Sequence, residues 1–586
     1  MLMAMRPVPS RKHHWALLAL ACVVGVSAFL SGHEGPLTRE QNTLLAEAYR
    51  AGDGSLYAND ALFGPQSQAW QLNLPAWNNL LHLAVQAAGP AEPAGGFRVL
   101  GAAALSLFLL GMYLLLYRQT HSTSVATMVA IMSAAVFTTS KPSWGLGPLF
   151  TVTPSSMYLA MSPLLVLLFM RSSRRWRVVW VFFLVGAMGN LHLWSAVNLS
   201  AVLVLVTLGV GRGRWRSWGF VGAGLAAAAV GAAPALVHYF TLPSPPWLMP
   251  QVPAGYATAW AAVRASGQDL FYPNLLDDLL AGLPLAGGLA IPAVVILTRS
   301  PRFRALQLGD WLAMLGSTLL VALGLHGLMQ AAAWKLDRLP VIGFYQALPL
   351  VMLPLLVLFA QSLVHLLRLV QTHRTAVRAM LVVMVLVFMG TSQNVRAVRF
   401  WVQDWLAELG GQEPPSYRRF GSGYEIIALA RWMDRSGQVA PTDLVFCYEP
   451  EIRSYGRRSL WCSPADMRYY YNLWPQRLLQ FTQDIRQQRS LMVPPDRNQA
   501  DARQIVDFLD GFWAQRPGRV VNTFVVIPAE RAPAPDQRLA AAPAEKVGYY
   551  WKLYRYLPPP TSQPAGDTQP EGDGQSGMTS SSAPAE

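Results

Sequence analysis

Apolar runs broken by short polar or basic patches fill the chain from Trp15 to Gly390. Beyond a first run over 15–30, they lie near 97–117, 123–139, 157–170, 178–193, 195–210, 218–240, 279–298, 309–329, 341–367 and 377–391. Several approach the roughly 20 residues that a spanning helix needs, so the pattern predicts about eleven spans. The stretch 31–79 between the first two runs is polar. Within it, 38–51 has helical periodicity, with Leu44, Leu45 and Ala48 on one side and Glu40 and Glu47 on the other, and Gly52-Asp53-Gly54 ends it. A second helix is expected over 74–88, lying at the membrane interface with Trp77 and His82 as amphipathic side chains. After Thr391 the pattern changes. Helices are predicted over 424–436 and 502–514, and strands over 443–448, 459–462, 523–528 and 549–556.

These patterns define a polytopic α-helical membrane protein with a small C-terminal α/β domain. The expected divisions are an N-terminus with the first span (1–30), a first extracytoplasmic loop with amphipathic helices (31–96), a transmembrane bundle (97–392), the α/β domain (396–556) and a tail (557–586). The tail is Pro, Ser, Gly and acid, with almost nothing to bury, and is expected to be disordered. Cleavage of the first run as a signal peptide at Val26-Ser27-Ala28 is the alternative to a retained span.

Composition and charge agree with this layout. The chain is 53% apolar and only 13% charged, against about 25% charged in soluble domains. Its net charge of +14 is held in clusters between apolar runs, such as Arg171, Arg174, Arg175 and Arg177, or Arg212, Arg214 and Arg216. The intervening loops are sparser in bases, with Lys141, Arg264, Lys335 and Arg338. This asymmetry predicts an N-in, C-out topology and excludes a nucleic-acid groove. The implied location is the cell inner (cytoplasmic) membrane, with the C-terminal domain extracytoplasmic. Cys22 lies in an apolar run. Cys447 and Cys462 each close a short apolar strand and would form a disulfide if those strands are neighbours in one sheet.

Candidate chemistry concentrates beside the membrane. His33 and Glu34 follow the first span, and a partly desolvated carboxylate there can act as a general base. Leu56-Tyr57-Ala58-Asn59-Asp60 sets an acid beside an aromatic ring, which suits a sugar, although an Asx turn gives the same pattern. Asn190-Leu191-His192 lies where two spans meet, and His192 could contact a phosphate or only settle a helix turn. Lys335, Arg338 and Lys141 are placed to hold a phosphate, or equally to anchor the chain at the interface. No Gly-rich phosphate loop, Cys/His cluster or His-Glu-x-x-His element occurs.

This layout, with His33-Glu34, Leu56-Tyr57-Ala58-Asn59-Asp60 and Asn190-Leu191-His192, resembles the GT-C superfamily of integral-membrane glycosyltransferases. The best-known members carry an Asp-Glu or Asp-x-Asp pair in this loop, whereas here the first position is His33. The resemblance implies transfer of a sugar from a polyprenyl-phosphate donor to a glycan, lipid or protein acceptor at the outer membrane face. It implies Glu34 or Asp60 as base, with His33, Tyr57, Lys141, His192, Lys335 and Arg338 around donor and phosphate, and it leaves room for a divalent metal. A non-enzymatic assembly or partner-binding protein is the alternative. A transporter ranks below it, because no internal repeat or buried charge pair stands in the spans.

Overall fold

The computed structural model describes residues 10–31, 37–65, 67, 69–89, 92–137, 152–171, 175–210, 215–242, 286, 287, 289, 290, 308–336, 343–369, 375, 393–412, 414–467, 469, 470, 474–492, 499–516, 521–534, 536–542 and 550–559. The first apolar run forms α1 (Ser10–Ser31), and the polar stretch after it forms α2 (Arg39–Gly52) and α3 (Pro75–Ala88). Thr38 caps α2 reciprocally with Gln41, which satisfies donors that a bare helix end leaves open. The apolar block then gives α4 (Pro93–Thr120), α5 (Thr123–Phe137), α6 (Pro154–Met170), α7 (Arg175–Met188), α8 (Leu193–Val210), α9 (Trp215–Gly231) and α10 (Ala233–Thr241). Further along are α11 (Leu308–Leu319), α12 (His326–Lys335) and α13 (Met352–Leu369).

Among the described residues, three helices are long and apolar enough to cross a membrane: Pro93–Thr120, Gly309–Ala332 and Phe344–Leu367. A bent pair, Trp218–Gly231 with Ala233–Thr241, has the length and apolarity of a fourth when it is taken as one broken span rather than a re-entrant loop. This is fewer than the eleven expected. The helices His13–Phe29, Thr123–Ala134, Pro154–Met170, Trp176–Met188 and Leu193–Gly209 are apolar but shorter, and the runs at 279–298 and 377–391 fall almost wholly outside the described residues. Large apolar side chains such as Trp15, Phe29, Trp180, Val237, Phe240 and Leu328 stand exposed along the helices. Such a surface is stable against lipid but not against water, so this is a membrane protein.

Small residues let the helices approach. A β-carbon at Gly186 on α7 would run into the Ala228 carbonyl of α9, and one at Gly231 into the Phe183 carbonyl. Only glycine allows that contact. The chain bends by 64° between α9 and α10, where Pro234 supplies no backbone donor. Asn190 satisfies the groups freed there: its Nδ2 donates to the Gly231 carbonyl at 3.0 Å, and its Oδ1 accepts from the Ala235 N–H at 2.9 Å.

The C-terminal part begins with α14 (Gln393–Leu409), which packs against α1, and α15 (Pro415–Ser436). Strands β1 (Leu444–Phe446), β2 (Ser459–Leu460), β3 (Thr523–Pro528), β4 (Leu539–Ala541) and β5 (Trp551–Tyr556) form one mixed sheet in the order β2-β1-β3-β5-β4. β1 runs parallel to both β2 and β3, whereas β5 is antiparallel to β3 and β4. The short helix α16 (Glu451–Ser454) follows β1, and α17 (Leu478–Met492) and α18 (Ala502–Ala514) precede β3. The sheet alternates between two cores. Val445, Cys447, Leu460, Phe524 and Val526 join the apolar cluster that runs on into the membrane helices. Leu444, Phe446, Val525 and Ile527 face α18.

The predicted disulfide is not formed, although β1 and β2 are neighbours. Both thiols are free and buried. Cys447 packs in the membrane-side cluster, while Cys462 packs with Met467, Leu478 and Phe481 and donates to Gln488 Oε1 at 2.8 Å. The two side chains therefore sit in different cores.

Candidate functional site

The first loop and the C-terminal part meet in a buried polar seam, joined by Asp60–Arg453, Asn42–Glu451 and Glu47–Tyr469. Arg453 on α16 lies at its centre, fully buried between Asp60 of the loop and Asp466. Its Nε and Nη2 donate to the Asp60 carboxylate at 2.7 and 3.0 Å, and its Nη2 donates to Asp466 Oδ2 at 3.0 Å. Asp60 also accepts from the backbone N–H groups of Leu62, Phe63 and Leu460 at 2.8, 3.0 and 2.8 Å. Burial alone would lower the Arg453 pKa, but Asp466 and Asp60 outweigh it and hold the guanidinium charged.

This arrangement revises the role expected for Asp60. A general base needs a free lone pair within reach of substrate. Both oxygens of Asp60 are taken, and its side chain is fully buried. It is the loop's clamp on the sheet edge. Tyr57 serves the same clamp: it is buried, sits at φ 60°, and donates to the Arg453 carbonyl at 2.8 Å. Glu47 on α2 is also structural, accepting from the Asn73 N–H at 2.7 Å and from the Tyr469 hydroxyl at 2.8 Å. Asp53 caps its own turn through Ser55, which holds its carboxyl below the usual range.

Of the other sequence candidates, His192 and Lys335 are among the described residues. His192 stands just before α8, its Nδ1 accepting from the Ser195 N–H at 3.2 Å, a contact of the kind that settles a helix turn. Lys335 is exposed at the end of α12. His33, Glu34, Lys141 and Arg338 lie outside the described residues. Tyr57 and Asp60 are the pair that the fold brings together, and it brings them to Arg453. Among the described residues no group of three or more His, Cys, Asp or Glu side chains is placed to hold a metal.

Beside the clamp is a carboxyl pair that sequence reading passed over. Glu449 and Glu451 follow the carboxyl end of β1. In parallel sheets, ligands gather outside the carboxyl ends of strands where the strand order reverses, and β1 lies between β2 and β3. Glu-Pro-Glu directly after an apolar strand was the available signal. Glu451 is buried; its Oε1 accepts from Asn42 Nδ2 of α2 at 3.0 Å, and its Oε2 has no hydrogen-bond partner among the described residues. Burial first, and then the charge of Glu449, push its pKa up to about 8. Glu449 is partly exposed and is likewise raised by burial, offset by Arg39. Arg39 reaches its Oε2 at 3.8 Å and lies 5.6 Å from the centre of the Tyr448 ring. The group thus combines a proton-carrying acid, a second acid at the surface, a cation and an aromatic ring, which can hold and move a proton near neutral pH.

The Glu451 proton has a consequence for stability. The folded chain keeps it up to about pH 8, whereas the unfolded chain releases it near 4.5. Between those values the folded state binds more protons, so stability falls as pH rises through the window. Glu451→Gln removes the ionisation. Thermal melts of the whole protein in detergent at pH 5 and pH 8 should show the variant losing less on going alkaline, by several degrees. An unchanged pH slope would rule Glu451 out as its source.

No family model matches the chain, and no curated protein matches it. Among solved structures the chain is similar to the crystal structure of ArnT from Cupriavidus metallidurans in the apo state, at 12% identity, over 93% of this chain and 98% of that one, with a TM-score of 0.42.

Proposed function

We propose that the chain is an integral-membrane glycosyltransferase of the GT-C kind, moving a sugar from a polyprenyl-phosphate donor to an acceptor hydroxyl at the outer membrane face. The observation that carries this reading is the Glu449–Glu451 pair with Arg39, set at a strand's carboxyl end where the first loop meets the C-terminal part. In the proposed reaction Glu449 takes the proton of the acceptor hydroxyl as its oxygen bonds to the anomeric carbon. The bond from that carbon to the phosphate oxygen breaks, and the phosphate leaves with the electron pair. Arg39, with Lys335, Arg338 and Lys141 as further cations, offsets the charge that develops on it. Glu34 is the second candidate base. The packing of α2 against α16 supports placing the first loop and the C-terminal part on one side of the membrane, whichever side that is, and the N-in, C-out orientation rests on the distribution of basic residues.

The test has two parts. Reporter fusions after Arg177 and Arg304 should read cytoplasmic, and one after Phe420 should read outside; a cytoplasmic signal from the last overturns the topology. The protein reconstituted with a polyprenyl-phosphate-linked sugar and an acceptor extract should release polyprenyl phosphate. Folded protein that releases none across hexose and pentose donors would leave the assembly reading in its place.

A further inference from the structure

On the same seam, a cleft of about 710 Å³ opens between loop residues 58–67, the start of β1 and the end of α18. None of its lining residues belongs to the Glu449–Glu451–Arg39 group. Its walls carry Trp461, Tyr470, Trp474 and Phe512, together with Arg477 and Arg516. The rings are braced from behind: Tyr470 stacks on Phe481 at 4.0 Å between centroids, and Trp461 stacks on Phe446 at 6.1 Å. Arg516 is fixed by the Phe512 carbonyl at 3.0 Å and lies 3.8 Å over the Phe512 ring and 4.9 Å over Trp461. Burial lowers its pKa, and Asp484 only partly offsets that, so an arriving anion would be favoured there.

We infer that this cleft is a binding site for an anionic saccharide, one bearing a carboxylate or a phosphate. Arg516 covers Phe512 and Trp461, and Tyr470 and Trp474 are the rings that take the C–H face of a sugar, as aromatic rings take any flat apolar face. A planar guanidinium fixed beside them suits a carboxylate or phosphate bidentately. The loop side adds Asn59, Ser67 and backbone groups, which suit a polyol rather than an apolar peptide. The volume fits a few sugar units, within the range usual for small-ligand pockets. The inference does not depend on the transferase reading, because binding here needs no turnover.

The experiment is calorimetry on the whole protein in detergent, with tetragalacturonate, glucose 1-phosphate, maltotetraose, polyuridylate and an acidic peptide as probes. At least one of the two anionic sugars should bind about tenfold or more tightly than maltotetraose, and the stronger of the two identifies the anion as carboxylate or phosphate. Arg516→Gln and Trp474→Ala should each weaken it about fivefold or more. Arg477→Gln, at an exposed position, gives a second reading that does not touch the packed rings. Overturning results are no heat from either anionic sugar at millimolar concentration, equal binding of maltotetraose, or tighter binding of polyuridylate or the peptide. Anionic-sugar affinity unchanged in both arginine variants would overturn it equally.

Discussion

Arg453→Met is expected to destabilise the union of the first loop with the C-terminal part by about 3–5 kcal/mol, the usual cost of leaving a buried charge without its partner. The substitution keeps an apolar stem of similar length but strands Asp60 and Asp466, both buried, without the guanidinium between them. Against a total stability of roughly 5–15 kcal/mol this is a large share. The exposed pair Arg457–Asp434, at 2.6 Å, is the control. Arg457→Gln should cost no more than about 1 kcal/mol, because solvent screens such a pair. Limited proteolysis of the intact protein in detergent would read both. Arg453→Met should expose cleavage sites in the loop and sheet at temperatures where Arg457→Gln resists. Equal resistance of the two variants would mean that Arg453 does not clamp the junction.

Glu449→Gln should lower turnover by about 10²-fold or more if Glu449 accepts the acceptor proton, the usual worth of a positioned base. The variant keeps size and hydrogen bonding and lies at a partly exposed position, so the fold should hold. Removing the negative charge beside Glu451 also makes that acid easier to ionise, since the Glu449 charge is one cause of its raised pKa. The pH dependence of stability should therefore move to lower pH in this variant. That signature identifies the coupling even if turnover is read in crude membranes. Glu34→Gln made in parallel separates the two candidate bases. A hundredfold loss in Glu34→Gln with full activity in Glu449→Gln would transfer the role to the first loop's start.

Several elements were legible because local pattern decides them. The 38–51 periodicity became α2 with its Thr38–Gln41 cap, and the expected helix over 502–514 and strand over 523–528 became α18 and β3. The Asx-turn alternative at Asn59-Asp60 also has a counterpart, since Asp60 accepts from the Leu62 and Phe63 backbones. Helix α17 and strand β4 were missed, as were α14 and the short α16. The first carries mixed polar and apolar residues and packs by only a narrow apolar face, and the second is three residues long.

What the sequence by itself determined is the membrane character, the run of apolar helices and the α/β pattern of the C-terminal part, because periodicity and apolar content act over a few neighbouring residues. What only the tertiary structure decided is which acids carry structure and which can carry protons. Asp60 and Arg453 are 393 positions apart, and Asn42 and Glu451 are 409 apart. A carboxyl's protonation depends on the water it loses and the charges it meets, and both come from chain segments that local sequence cannot place together. Asp60 looked like a base because it stood beside an aromatic ring. The fold spends its lone pairs on Arg453 and the backbone, and leaves the raised acids at Glu449 and Glu451 instead.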